Sequence, residues 1–236
     1  MTDRASVIRS LIDAQPIRAD GLSGLLERVC LAVLPALSAS GAGISMMTAD
    51  GTRGVCIASD PVSQQIDDLQ FVLGEGPCME AFAHRRPVLV TDLAGSTTRW
   101  PLYAPAARHG GAGAVFAFPL QIGGARLGVL DVFRRDAGPL TGDQLTDALL
   151  FTDVTVSAVL DRQESTGTRR SDDLDAAIRH RAELFQAQGM VMVQLGVPLD
   201  EAMVRLRAHA YARNRRLDEL ARDVVAGRVR FTPEAP

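Results

Sequence analysis

Hydrophobic residues follow two periods along the first half of the chain, one helical and one extended. Residues 2–13 have the pattern of a short amphipathic helix, and apolar residues recur every three or four positions over 21–37, which predicts a second helix. Two strand-like runs, GAGISMMT and GVCIAS, then lie on either side of Asp50-Gly51. This dipeptide is typical of a two-residue hairpin turn, so the two runs are predicted to pair as antiparallel strands.

A second group of elements follows after a further helical stretch. The segment LGEGPCMEAFAHRRPVLVTDL predicts a Gly-Pro turn, a helix over 78–85 and a strand over 88–91. After a loop that contains the only tryptophan, GAVFAFPLQI and RLGVLDVFR predict a strand pair joined by Gly123-Gly124. This succession predicts an α+β domain over residues 15–160, in which helices flank a largely antiparallel sheet.

The next segment carries a heptad pattern. Thr141 is a candidate N-cap, and alternating steps of four and three place a seam of mostly apolar residues over 141–163. Such a seam is suited to pairing with a second copy of the chain. After the polar stretch ESTGTRRSDD, residues 174–195 keep the period, with Arg181 and Gln188 as polar interruptions. The pattern predicts a homodimer through helices 141–163 and 174–195.

The C-terminal part predicts two more short helices. Gly196 fits the residue that follows a helix C-terminus, and apolar stripes then recur over 199–213 and 217–225. With 174–195 they predict a small all-α three-helix bundle with a coiled-coil extension, over residues 170–231.

Charge separates the two parts of the 236-residue chain, whose 25 basic residues are all arginine. Residues 169–236 contain 12 Arg against 10 acidic residues, whereas residues 1–168 contain 13 Arg against 18. Between Arg205 and Arg216 there are five arginines and no acidic residue. A basic helical unit behind an acidic globular one favours a sensor coupled to a module that binds a polyanion.

Composition also excludes several classes of protein. The start, MTDRASVIRS, lacks the apolar stretch of a signal peptide, and no run approaches the roughly 20 apolar residues of a membrane span. Cys30, Cys56 and Cys78 are odd in number and lack metal-ligand spacing, so a reduced, cytoplasmic protein is expected. Because no phosphate-binding glycine loop, catalytic constellation or His/Cys metal cluster is found, we expect a non-enzymatic protein without a metal or a required cofactor.

The C-terminal pattern AxGMVMVQLGVPLDEAMVRLRxxAxxxNRRLDELAxxVV, which begins at Ala187, resembles the ANTAR module, an RNA-binding output domain of bacterial regulators. The likeness covers residues 170–231 and implies a coiled-coil-extended three-helix domain that acts as a dimer. It also implies binding of paired RNA stem-loops, so that a transcription terminator cannot form and the transcription machinery is affected indirectly. Many family members have lysine at the position of Gln188.

Candidate RNA-binding residues come from the basic helix and from this resemblance. A guanidinium group pairs with phosphate, reads guanine edges and stacks on unpaired bases, although the alternative for these arginines is a solvated helix face. Tyr211 either stacks on a base or packs on the bundle, and Gln188 either binds a base edge or weakens the dimer seam. The candidates are Gln186, Gln188, Arg205, Arg207, Tyr211, Arg213, Asn214, Arg215 and Arg216.

The first 160 residues resemble a GAF domain, the ligand-sensing fold related to PAS, through LGEGPCMEAF, RPVLVTDL and FAFPLQIGGARLGVLDVF. A GAF domain followed by ANTAR is an architecture associated with high-GC actinobacteria. The resemblance implies a regulator whose signal, such as a small-molecule ligand, is unknown. Asp131 shares a strand face with Val129 and Phe133 and is a candidate for meeting a ligand, with an edge-facing carboxylate as the equal alternative. The candidate sensor pocket consists of Cys78, Trp100, Tyr103, Phe116 and Asp131.

Two other functions are compatible with the pattern. Helices 199–213 and 217–227 would form a DNA-binding helix-turn-helix, but the second helix opens LDELARDVV, with acids where a recognition helix brings basic groups to the groove. Alternatively, Cys78 at a helix start would serve a GAF-type redox enzyme, since a helix N-terminus lowers a thiol pKa. Glu75 and Glu80 nearby oppose a thiolate, and a structural cysteine is the alternative.

Overall fold

The structure is a computed structural model that describes residues 3–48, 53–165, 172–213 and 215–232. The helices are α1 (Arg4–Asp13), α2 (Gly21–Ala36), α3 (Pro61–Leu73), α4 (Pro77–His84), α5 (Tyr103–His109), α6 (Gly142–Ser165), α7 (Asp172–Leu195), α8 (Leu199–Ala212) and α9 (Leu217–Val225). The strands are β1 (Gly41–Met47), β2 (Arg53–Ala58), β3 (Val88–Val90), β4 (Ala114–Ile122) and β5 (Ala125–Arg134).

The five strands form one antiparallel sheet in the order β2-β1-β5-β4-β3. Because side chains alternate across a strand, β1, β4 and β5 each contribute to two cores. One core lies under α1, α2 and α6 and contains Ile44, Phe116 and Val132. The other lies under α3, α4 and α5 and contains Val115 and Val129. The predicted α+β domain is confirmed, although the Asp50-Gly51 turn between β1 and β2 lies outside the described residues.

One helix was not expected from the sequence. Residues 103–109 were predicted as part of a loop, but they form α5. The Glu75 carboxylate accepts hydrogen bonds from the backbone N–H groups of Leu102 and Tyr103, at 2.7 and 2.8 Å. Since helix N-termini leave such groups unpaired, a residue distant in sequence stabilises this helix start.

Helix α6 begins as predicted but buries a different surface. The Thr141 hydroxyl accepts from the Gln144 N–H at 3.2 Å, and the Gln144 side chain accepts from the Thr141 N–H at 3.0 Å, a reciprocal cap. However, Val156 and Val159 of the heptad seam pack into the core of their own domain. Most of the seam therefore packs within its own domain, and pairing with a second copy through 141–163 stays a prediction.

Helices α7, α8 and α9 form the predicted bundle. Its core contains Ala187, Val191, Leu206 and Leu220, and also Val72 from α3 of the sensor domain. Gly196 ends α7 with φ +66°, the left-handed conformation expected at that position. Among the described residues, no helix has the length and apolar character needed to cross a membrane.

Candidate nucleic-acid interface and sensor core

Two of the five arginines of the basic cluster are exposed on the bundle. Arg205 lies on the outer face of α8 and pairs with Glu201 at 3.2 Å, with nearly half of each side chain exposed. Arg213 follows the end of α8 and contacts the ring of His209. Tyr211 is 46 % exposed. Partial burial, with Arg213 and Arg215 nearby, lowers the pKa of His209, so the arginines provide the positive charge here.

Arg215 and Arg216 are held by carboxylates. Arg215 forms an ion pair with Asp223 of α9 at 2.5 Å. Arg216 pairs with Asp218 at 3.0 Å and also with Asp68 of α3, at 3.2 Å. Although burial opposes its charge, Asp68 and Asp218 raise the pKa of Arg216. These two candidates stabilise the α8–α9 turn and its contact with the sensor domain.

Arg207 lies against the sensor domain as well. Gly74 ends α3 with φ +72°, and a Cβ atom at this position would lie 2.7 Å from Nη1 of Arg207. The guanidinium therefore packs on the bare backbone of this turn, and burial lowers its pKa. Its Nε atom has no hydrogen-bond partner among the described residues. Arg207 and Arg216 thus lie in one interface between α3 and the bundle.

The two glutamine candidates occupy different environments. Gln186 is exposed on α7. Gln188 is only 7 % exposed, and its side-chain amide donates to the backbone carbonyl of Leu199 at 2.7 Å. Because Leu199 is the first residue of α8, this hydrogen bond connects α7 to the start of α8. Asn214 lies outside the described residues.

We expect the Gln188→Leu substitution to destabilise the bundle. Leucine keeps the volume but removes this hydrogen bond, whose net contribution to the free energy of unfolding is about 0.5–1.5 kcal/mol. Urea unfolding of the full chain measures the change. Gln186→Leu is the matched control on the exposed face, where a change within about 0.5 kcal/mol is expected. Equal stability of the two variants would contradict the role assigned to Gln188.

Four of the five candidate pocket residues lie on the same side of the sheet. Cys78, Trp100 and Tyr103 belong to the core under α3, α4 and α5, and the two aromatic rings meet edge to face at 6.5 Å. Asp131 faces the same side, as its alternation with Leu130 predicts. Phe116 belongs to the opposite core, so its inclusion in the candidate pocket is corrected.

Asp131 meets a second buried carboxylate that the sequence did not indicate. Oxygen atoms of Asp67 and Asp131 and the Cys78 sulfur all lie within 4.8 Å of one another, and all three residues are buried. Burial, followed by the charge of Asp67, raises the pKa of Asp131 well above its usual value. The three residues come from α3, α4 and β5, 11 and 53 positions apart. The three residues belong to no local sequence motif, so their spacing along the chain did not indicate the cluster.

Asp67 is joined to the bundle interface through Arg53 of β2. The Arg53 guanidinium lies 3.4 Å from Asp67 and 2.5 Å from Asp68, and it stacks on the Phe71 ring at 4.5 Å. Asp68 in turn pairs with Arg216. Burial opposes the charge of Arg53, but neighbouring acidic groups raise its pKa. A continuous chain of ion pairs therefore connects the sensor core to the α8–α9 turn.

The environment of Cys78 differs from that of a reactive cysteine. Its side chain is 0 % exposed, and burial, followed by the charges of Asp131 and Asp67, raises its pKa well above the usual value. Reactive thiols are accessible and have lowered pKa values. The Cys78 backbone N–H, moreover, donates to the Gln70 side chain at 2.7 Å. The helix start therefore does not activate this thiol as a nucleophile.

Comparison with known families identifies both parts of the chain. The sequence model of the GAF domain matches residues 19–153, and that of the ANTAR domain matches residues 172–225. No curated protein sequence matches the chain.

Solved structures share the fold of the first part. A domain of a protein described as a two-component sensor histidine kinase from Sinorhizobium meliloti is 16% identical, with a TM-score of 0.51, over 65% of this chain and 100% of that one. The phycocyanobilin-bound GAF domain of a cyanobacterial phytochrome is 12% identical, with a TM-score of 0.50, over 70% and 98%. Free methionine-R-sulfoxide reductase from Neisseria meningitidis is 13% identical, with a TM-score of 0.46, over 70% and 96%. At these identities the first two likenesses concern the fold alone, and the third, with a TM-score below 0.50, supports no inference.

Proposed function

Because the chain belongs to the GAF domain family and carries an ANTAR domain behind its GAF domain, we propose that it is a transcription antitermination regulator that binds RNA stem-loops. The ANTAR domain contacts the RNA, and a signal received by the GAF domain controls that contact. A regulator of this kind works in the cytoplasm and affects the transcription machinery indirectly, through the terminator. The architecture is that of a regulator and not of an enzyme.

The exposed basic face of α8 carries the proposal. Arg205, Tyr211 and Arg213 are exposed, and together they offer two cations and one ring for stacking. This combination suits RNA loops, in which unpaired bases are available beside the phosphates. Helix α9, in contrast, starts with Asp218 and Glu219, which would repel the phosphates of a DNA groove.

Contact between the two domains provides the control. In the docked arrangement, Arg207 packs on the Gly74 turn and Arg216 pairs with Asp68, so contacts with the sensor domain engage two of the candidate cations. Val72 anchors the contact within the bundle core. A signal that weakens this interface releases both arginines, and the equilibrium between docked and released bundles shifts toward RNA binding.

A homodimer completes the proposal. Paired stem-loops require two bundles, and α7 presents Phe185 and Val193, which are 43 % and 75 % exposed. Exposed apolar side chains on one helix are typical of a contact with a second copy. The dimer contact is therefore assigned to α7, the second of the two helices in the sequence prediction. The seam of α6 is already buried in its own domain.

Competition binding tests the proposal with the full chain. We expect a labelled RNA with two adjacent stem-loops to bind at least about tenfold more tightly than a duplex DNA of equal charge, at matched salt. An RNA with a single stem-loop is the matched control, and it should bind more weakly because a dimer loses its second contact. Preference for the duplex would instead favour the helix-turn-helix alternative.

A further inference from the structure

Three potential ligand groups converge in the interior of the GAF domain. Asp67 projects from α3, Cys78 from the first turn of α4 and Asp131 from the middle of β5. Each is 0 % exposed, and one ligand atom from each lies within 4.8 Å of the other two. Ligand atoms around one metal ion have separations in this range, because each lies about 2.0–2.3 Å from the ion.

Hydrogen bonds satisfy only part of this cluster. Asp67 is well supplied with donors, because it accepts from the Ser45 hydroxyl at 2.8 Å, the Cys56 thiol at 2.9 Å, and the Gln70 amide and Arg53 guanidinium at 3.4 Å each. Neither carboxyl oxygen of Asp131 has a hydrogen-bond partner among the described residues, and the same holds for the buried Tyr103 hydroxyl. A native interior contains few such groups, and each requires a physical explanation. Two of them occur within one small region.

We propose that Asp67, Cys78 and Asp131 bind a divalent transition-metal ion inside the GAF domain. Two carboxylates and one thiolate are donors that zinc and neighbouring first-row ions accept. The thiolate disfavours magnesium and calcium, which prefer oxygen ligands alone. The Tyr103 hydroxyl is another buried group without a hydrogen-bond partner among the described residues, and it is assigned to the surroundings of the ion.

Charge balance supports this assignment. With the ion bound, the three anionic ligands carry a charge of −3, and the ion together with Arg53 carries +3. Arg53 lies 3.4 Å from Asp67, so the compensating charge is adjacent. The three ligands, the ion and Arg53 therefore sum to zero charge, which avoids the cost of a buried uncompensated charge.

The position of the site connects it with the proposed control of RNA binding. Asp67 and Asp68 share the Arg53 guanidinium, and Asp68 pairs with Arg216 of the ANTAR domain. An ion bound to Asp67 weakens the attraction between Arg53 and Asp67. Arg53 then pairs more strongly with Asp68, and it competes there with Arg216. This coupling step rests on the proposed function, whereas metal binding itself does not.

Cobalt titration of the full-length, chelator-treated protein tests the site without RNA. We expect one equivalent of Co²⁺ to bind, with a thiolate-to-cobalt charge-transfer band, and Zn²⁺ to displace it. Cys78→Ser should remove the band, and Asp131→Asn should weaken binding by at least about 10–100-fold. Cys30→Ser is the matched control, because Cys30 is an equally buried thiol in the opposite core; it should keep both the band and the affinity.

Several outcomes would overturn the proposal. The first is a wild-type protein that binds no stoichiometric cobalt, a measurement that needs no variant to fold. The second is a charge-transfer band that persists in Cys78→Ser, and the third is an unchanged cobalt affinity of Asp131→Asn. If the wild type binds no cobalt and Asp131→Asn melts at a higher temperature than the wild type, Asp67 and Asp131 share a proton instead. A metal-binding protein that does not bind RNA would refute the proposed function and leave the site intact.

Discussion

Replacing Arg205 and Arg213 together by alanine is expected to weaken RNA binding by at least about 100-fold. Both side chains are exposed on the bundle, and a hydrogen bond to a charged group contributes about 1.5–3 kcal/mol. Because each neutralised phosphate adds about 0.7–0.9 to the slope of log affinity against log salt, the slope should also fall by about 1.4–1.8. Equilibrium binding to the two-stem-loop RNA over a series of salt concentrations measures both quantities.

A matched double variant separates this effect from a loss of general positive charge. Arg9 and Arg108 are exposed arginines of the GAF domain, and replacing both by alanine removes the same net charge. Affinity and salt slope should then remain close to those of the wild type. Equal losses in the two double variants would mean that RNA responds to total charge, and the assignment to α8 would have to be abandoned.

Opening the interface between the domains should strengthen RNA binding. Gly74→Asn keeps the left-handed backbone, which asparagine tolerates, but its side chain occupies the position of the Arg207 guanidinium. We expect RNA affinity to rise on the order of tenfold, which corresponds to about 1.4 kcal/mol of docking free energy. Freed Arg207 and Arg216 both become available to phosphate. The same binding assay measures the gain.

Gly123→Asn is the control for the backbone change. Gly123 also has positive φ, and a Cβ atom there would meet nothing within 4 Å, so RNA affinity should stay at the wild-type value. Unfolding curves of both variants show whether either glycine change damages the fold. Unchanged or weaker RNA binding by a well-folded Gly74→Asn protein would contradict the docked arrangement as a means of control.

Local signals in the sequence predicted most elements of the fold. The caps at Thr141 and Gly196 and the alternation that turns Asp131 toward the α3 side all appear as expected. The sequence did not predict helix α5, because its N-terminus is capped by Glu75, which is distant in sequence, and not by a neighbouring residue. The sequence did not indicate that Val156 and Val159 of the α6 heptads pack in their own domain, since one period describes an apolar stripe whether it faces a second copy or a sheet.

The candidate site could be predicted only in part. The sequence identified the basic cluster and its helix, because charge and period are local properties. It could not separate exposed Arg205 from docked Arg207, which differ only in the surfaces that surround them. Nor could it connect Asp67 with Asp131, because pairing across 64 positions depends on how α3 packs on β5.

By itself, the sequence determined the order of the domains, their types and the presence of a basic ANTAR helix, since periodicity, capping residues and charge are written along the chain. Only the tertiary structure decided which arginines face solvent, which carboxylates meet in the core and how Arg53 joins them to Arg216. The physical reason is the separation along the sequence of the residues that interact. Helix and strand patterns arise from neighbours in sequence, whereas burial, ion pairing and ligand geometry arise from residues that folding brings together.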